Sequence, residues 1–512
     1  MTPAVVAMSV IFSIVFLGSF VGFLAGKGRQ MNLEEWSIAG RSFGLLFMWL
    51  LMAGEIYTTF AFLGASGWAY SRGGPALYIM AYITLGYVVS FYILPYIWEL
   101  GHRHGLQTQS DFFEKRYRSK FLPLFVSLVG VLFVIPYLQI QLTGLGIIVQ
   151  VASFDQIPRS LSMLIAVSVV AMFVYVGGMR SVAWVSVLKD FLMILAALSI
   201  GIYVPMHYFG GFSPLFHTLA ATHPTHLVMP GATKTMGHSW FISTVILSAC
   251  GFYMWPHTFG AAFTAKSGHI LRRNAIVTPL YTISLVFIFI AGFAALLLVP
   301  GLTNGDMSLL MLARKTFPAW FLGVIGGAGA LTAMVPSAII LLTASTLFAK
   351  NVFRPLFAPQ MSEDRVARLA KIMVLILALS SFGLALHSST TLVALLLLGY
   401  AGVTQFFPGV VFGLFWPRVT SWGVIAGLLS GLTVASTLML SHRDPFHGFN
   451  AGFLALLLNF AVTILVSLMT PAQINPLPLT KNEEGVPTAT LSPATAHLLA
   501  TAPVERRSAS KN

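Results

Sequence analysis

The chain has 512 residues, 57% of them hydrophobic and only 9% charged, and a mean hydropathy of +0.84. A soluble protein carries about 25% charged residues to face water, so most of this surface meets lipid and a soluble globular fold is excluded. The net charge of +14 does not point to nucleic acid, because Lys and Arg lie in short stretches between apolar runs, the usual signature of cytoplasmic loops. The lone Cys250 sits inside an apolar run, which excludes a disulfide framework and a cysteine metal cluster.

A bilayer core about 30 Å thick takes about 20 helical residues at about 1.5 Å each. That ruler predicts thirteen apolar segments, numbered here in chain order: 4–25, 43–70, 75–100, 121–152, 160–180, 182–208, 238–262, 273–302, 319–349, 367–387, 389–416, 419–441 and 448–470. Runs this long exclude barrel strands, so the fold class is an all-α polytopic membrane protein. Residues 1–470 form the transmembrane domain, with a core over about 43–416. Segment 1 lacks a basic start and a small-residue cleavage site, and it reads as a retained span rather than a signal peptide.

Segment 2 is interrupted. It carries Gly44, Gly54, Gly64 and Gly67, with Glu55, Tyr57, Thr58 and Thr59 near its middle. A carboxyl group at that depth is costly and marks a functional site by default, so Glu55 is expected to carry a coupling proton or to bond the opened backbone or Lys189. The stretch 208–237, with His207, His217, His223 and His226, reads as a solvated outer loop, since the irregular histidine spacing matches no metal motif. Segment 7 is interrupted in turn by Gly251, Pro256 and Gly260, flanked by Tyr253, Trp255 and His257. Proline removes a backbone donor and opens the helix, and open backbone at membrane depth is tolerated only where it lines a cavity. The two damaged helices stand five segments apart. Segments 2–6 and 7–11 therefore form a 5+5 inverted repeat, and matched breaks in two inverted halves point to a transport site. Residues 471–512, rich in Pro, Thr, Ala and Ser, predict a disordered cytoplasmic tail.

Charge sets the orientation. With the N-terminus outside, 22 of the 29 basic residues fall on inner segments and six on outer ones, while Lys189 lies within segment 6. The expected topology is N-out and C-in, in a bacterial cytoplasmic membrane.

Several stretches in order complete the picture: Phe62-Leu-Gly-Ala-Ser-Gly-Trp-Ala-Tyr70, Asp111-Phe-Phe-Glu-Lys-Arg-Tyr117, Gly177-Gly-Met-Arg-Ser-Val-Ala-Trp184, Trp255-Pro-His257, Ala265-Lys…Arg272-Arg-Asn-Ala275 and Phe407-Pro-Gly…Leu414-Phe-Trp-Pro-Arg418. Together, over about residues 5–470, they resemble the sodium:solute symporter family. The Glu55-Ile-Tyr-Thr-Thr-Phe stretch is most similar to its monocarboxylate permease branch. The resemblance implies the leucine-transporter fold, a substrate site between broken segments 2 and 7, and a sodium site using carbonyls near Gly54, Tyr57 and Thr332 plus a hydroxyl pair in segment 9. In this chain Val335 and Pro336 stand at the hydroxyl-pair positions, and neither side chain offers an oxygen to a hard cation. Where family members have an acidic residue and a glutamine in segment 6, this chain has Ser186 and Lys189.

The function these features imply is a secondary active symporter of a small organic solute, a monocarboxylate such as lactate or pyruvate. Gly54, Tyr57, Thr58, Gln141, Tyr253 and Trp255 would shape its pocket, and Glu55, Lys189, Asp190 and Thr332 would couple it to H+ or Na+. Lys189 and Asp190 are neighbours about 100° apart on the helix and need not pair. Snorkelling of both to water is the alternative. No organic cofactor and no enzymatic site are expected, since no nucleophile–base pair occurs within the spans. The alternatives are a sodium-coupled symporter of an amino acid or pantothenate and, from another class, a membrane solute sensor.

Overall fold

The computed structural model describes residues 1–26, 33–388 and 390–473, together with 480–481 and 487–488. Nearly all of it is helix, as lipid requires of a backbone that must satisfy itself. The disordered tail expected over 471–512 lies outside the described residues, apart from 471–473 and a two-residue pairing of Thr480–Lys481 with Pro487–Thr488.

Among the described residues, ten helices are long and apolar enough to cross a bilayer, and one bent pair makes eleven. The expected thirteen is therefore an overcount by this measure, and the reason is local. In segment 5, the apolar stretch counted among the described residues, Arg159–Val174, is below span length, and the helix Arg159–Phe209 to which it belongs kinks at Gly178. Gly178 has φ +67, and a Cβ there would lie 2.9 Å from the Trp36 ring, so only glycine fits. Segment 7 is split into His238–Gly251 and Pro256–Ala261, neither of which is span-length.

Segment 2 is the bent pair. Leu45–Ile56 and Phe60–Ser71 meet at 57°, and the second half opens as a π-helical turn over Phe60–Gly64, a form frequent at functional sites. The interrupted helices are thus the first of each five-segment half, as an inverted-repeat core requires. Segment 9, Ala319–Phe348, is the central strut, with 94% of its apolar window buried. Its glycines let segment 1 approach: Gly323, Gly326 and Gly327 face Ala7, Ile11 and Ile14, the small-residue contact typical of membrane helices. Segments 12 and 13, Ser421–Leu440 and Ala451–Met469, pack together at the periphery, where Gly423, Gly427 and Gly431 meet Asn459, Thr463 and Ser467.

Candidate functional site between the two helix breaks

The break in segment 2 covers Tyr57–Thr59, and its backbone groups are met by side chains from elsewhere. The Thr59 N–H and hydroxyl both donate to Gln141 Oε1, at 3.3 and 2.8 Å. The Phe60 N–H donates to Thr58 Oγ1 at 3.2 Å. The Tyr137 hydroxyl donates to the Glu55 carbonyl at 3.2 Å, and Lys189 Nζ lies 3.5 Å from the Tyr57 carbonyl. At the break in segment 7, Trp255 is extended and Pro256 starts the next helix, where its missing N–H costs nothing. The Thr258 hydroxyl donates to the Phe252 and Trp255 carbonyls, and Gln109 Nε2 donates to the Met254 carbonyl at 2.8 Å.

A small cavity of about 20 Å³, room for about one water, lies where the two breaks meet. Its wall is aromatic: Phe60, Tyr82, Tyr137, Phe252, Trp255 and Tyr400, joined by Glu55, Ile56, Thr258 and Leu396. Trp255 packs edge to face on Tyr400 at 5.3 Å and tilted against Tyr137 at 4.8 Å between centroids. Glu55 is 2% exposed, and neither carboxylate oxygen has a hydrogen-bond partner among the described residues. His257 stands behind, its ring 5.2 Å from that of Tyr137 and both its nitrogens likewise unpartnered.

Beside the cavity, Lys189 is fully buried and forms an ion pair with Asp190 at 2.6 Å. This corrects the expectation that the two need not pair, and it rules out snorkelling. The lysine stem is long enough to fold back along its own helix, so the 100° between neighbouring positions does not separate the head groups. Asp190 Oδ1 also accepts from the Tyr281 hydroxyl at 3.1 Å. The ammonium sits against the C-terminal end of Leu45–Ile56, where helix carbonyls concentrate negative potential. A Cβ on Gly54 would lie only 3.2 Å from Nζ, so a glycine is what lets the lysine reach the break.

Of the residues expected to shape a pocket, Trp255 lines the cavity. Gln141 and Thr58 bond the broken backbone, while Tyr57 packs on Tyr281 at 4.1 Å and Tyr253 on Phe252 at 4.9 Å. Gly54 and the Tyr57 carbonyl face Lys189. The Thr332 hydroxyl donates to the Ala328 carbonyl of its own helix at 2.7 Å. Sequence reasoning missed Tyr82, Tyr137 and Tyr400. A signal was present, since each is a tyrosine inside a long apolar segment, and Tyr137 follows Pro136. Among the described residues, no group of three or more His, Cys, Asp or Glu side chains could hold a metal.

The site is tied at both ends. At the end carrying most of the basic charge, Asp111 caps the helix Gln109–Tyr117 and binds Lys350 Nζ at 2.8 Å and Asn351 Nδ2 at 2.9 Å. Burial pushes the Asp111 carboxyl up, but Lys350, Asn351 and the Gln107 amide together hold it below the ordinary carboxylate value. At the opposite end, Ser66 Oγ lies 2.9 Å from Ser308 Oγ, and the Tyr70 hydroxyl donates to the Val299 carbonyl while accepting from the Leu302 N–H.

The comparisons with known proteins agree with this geometry. The chain matches the sodium:solute symporter family over residues 36–431. It is 45% identical to the uncharacterised symporter YhjB of Bacillus subtilis (strain 168), over 91% of this chain and 97% of that one. It is 26% identical to a monocarboxylate transport permease protein of Rhizobium johnstonii, over 91% of this chain and 97% of the relative. In structure it is similar to a Na+-coupled sialic acid symporter in a substrate-bound outward-open state, with a TM-score of 0.77 and 18% identity, covering 92% of this chain and 99% of the other. That likeness shows the fold. A chain with broken helices meeting at a buried cavity in an inverted-repeat membrane core, matched along this much of its length, belongs to the sodium:solute symporter family as a secondary active symporter and not an enzyme.

Proposed function

We propose that the protein takes up a small monocarboxylate such as lactate or pyruvate by alternating access, coupled to the proton gradient. It would sit in the bacterial cytoplasmic membrane with its N-terminus outside, as the basic residues favour. The observation that carries this reading is Glu55, an unpartnered carboxylate in the wall of the cavity between the two breaks. A carboxylate solute and an ionised Glu55 repel each other strongly in a medium of low dielectric. A proton on Glu55 removes that repulsion, so anion and proton enter together. The relative with a monocarboxylate name supports the substrate class.

Lys189 supports the choice of ion. Its ammonium lies at the negative end of the half-helix, beside the Gly54 and Tyr57 backbone, where the family resemblance would place sodium. Val335 and Pro336, both buried, offer that place no side-chain oxygen. A second reading, carried by the family itself, keeps sodium on the carbonyls of Gly54, Tyr57 and Thr332.

The test is uptake of labelled lactate or pyruvate into proteoliposomes under separately imposed proton and sodium gradients, for the native chain and for Glu55→Gln. The expected result is uptake driven by the proton gradient alone, and loss of that drive in the variant. Uptake that needs sodium, or a variant that keeps the native pH response, would overturn the proton reading in favour of the second.

A further inference from the structure

Asp306 lies in the loop between segments 8 and 9, far from the cavity in sequence and unused by the mechanism above. It is 2% exposed. Its Oδ2 accepts the N–H of Leu392, the first residue of the helix Leu392–Val403 in segment 11, at 3.0 Å. Its Oδ1 is buried and has no hydrogen-bond partner among the described residues. That oxygen points at the outer half of segment 2: a Cβ on Gly67 would lie 2.7 Å from Oδ1 and 2.8 Å from the Asp306 nitrogen. One carboxyl group therefore touches three elements, and alternating access in an inverted-repeat core moves such elements relative to one another.

We propose that Asp306 is a proton-binding site on the outer face, where a proton taken from outside holds the outer half of segment 2 closed against the 299–318 loop and the start of segment 11. This rests on the orientation given above, which puts that loop outside. The site's chemistry follows from its surroundings. A carboxylic acid at Oδ1 is a neutral donor close against the Gly67 backbone, whereas a carboxylate is a buried charge with one oxygen unsatisfied.

The charged groups on neighbouring elements are few. Arg159 stands at the start of segment 5 and favours the carboxylate form. Arg314 is paired with Asp155 at 3.0 Å, and Lys315 Nζ donates to the Leu298 carbonyl. The outer half of segment 2 and the helix from Leu392 carry no Asp, Glu, Lys or Arg. Burial, offset by the Leu392 amide and Arg159, moves the Asp306 carboxyl up to about 6. The packed arrangement thus binds a proton better than an opened, hydrated one does. By linkage its extra stability is complete below the ordinary carboxylate value and is lost as pH rises through about 6.

The experiment uses the full chain in cells, with Cys250→Ser and a reporter Ser66→Cys labelled from outside by a membrane-impermeant maleimide. Labelling is normalised at each pH to the exposed position Thr303→Cys, which cancels the thiol's own titration. Between roughly pH 5 and pH 7.5, labelling at 66 should rise about tenfold, following the ionised fraction of the carboxyl, and Asp306→Asn should cut this to less than about twofold. Arg159→Gln should move the midpoint to higher pH, and it serves as the independent variant should Asp306→Asn not reach the membrane. A flat profile in the native background, a full pH response in Asp306→Asn, or an unmoved midpoint in Arg159→Gln would each overturn the proposal. Labelling confined to inside-out vesicles would overturn the orientation, and with it the assignment of the proton to the outside.

Discussion

Lys189 and Asp190 show how a buried ion pair behaves when one member is removed. Their side chains are 0% and 3% exposed, so the survivor of a single substitution is an uncompensated charge in the protein interior. Breaking such a pair costs about 3–5 kcal/mol, whereas replacing both members with apolar or neutral groups is often close to neutral. Lys189→Met is therefore expected to lower the unfolding temperature of the detergent-purified protein clearly, and the double variant Lys189→Met with Asp190→Asn to recover most of the loss. A single variant as stable as the native chain would refute the pairing. At this scale the sequence was informative about position and silent about partners. Glu55 announces itself as a carboxylate about twelve residues into an apolar run. That Gln141 would bond the Thr59 amide and hydroxyl was not legible, because it depends on how two helices 82 positions apart cross.

The elements that matter most are the two that are broken, and their breaks are written in local chemistry. Pro256 cannot donate, and the glycines around Glu55 weaken the helix there, so both interruptions were readable from the chain alone. What holds the breaks open was not readable, since the bonds come from Tyr137, Gln141, Gln109 and Lys189 on other elements. The cavity wall depends on one further contact of this kind. Gly399 in segment 11 lies against the Trp255 ring, so that a Cβ on it would collide with the indole. Trp255 is itself held between Tyr137 and Tyr400 and cannot withdraw. Gly399→Ala should therefore push the indole into the cavity and raise the KM for the transported solute by about tenfold or more, while leaving the protein in the membrane, because overpacking of this size costs about 1–3 kcal/mol. An unchanged KM would mean that Trp255 does not border the solute. Segment 7 shows the opposite failing of sequence reasoning. It is apolar enough to be counted as a span, but a hydropathy window does not register that Pro256 divides it.

Across the whole molecule, the inverted halves and the family were legible because they repeat over hundreds of residues, so errors at single positions average out. The ties at the two ends were not, because each joins residues far apart in the chain: Asp111 with Lys350, and Asp306 with Leu392. The ties differ in kind. The Asp111–Lys350 tie is charged, and because its carboxyl is held below the ordinary value it stays intact throughout the neutral range, weakening only under strong acid. The Asp306 tie changes within the range a bacterium meets outside itself.

The ammonium of Lys189 is covalently fixed to segment 6. A sodium ion in the same place, carried in addition to the proton, would cross the membrane with the solute and be released, and each turnover would then move one net charge through the electric field. A moved elementary charge is worth about 2.3 kcal/mol per 100 mV. A tethered cation stays behind, so a cycle that carries one lactate and one proton moves no net charge. The expected consequence is a transporter indifferent to voltage: lactate uptake into proteoliposomes driven by a proton gradient should be the same whether a potassium diffusion potential is clamped at zero or set negative inside. A rate that follows the potential would show that a mobile cation crosses in addition to the proton, in the place assigned to Lys189. Such a protein would keep working in a cell whose membrane potential has collapsed, provided that its surroundings stay acidic.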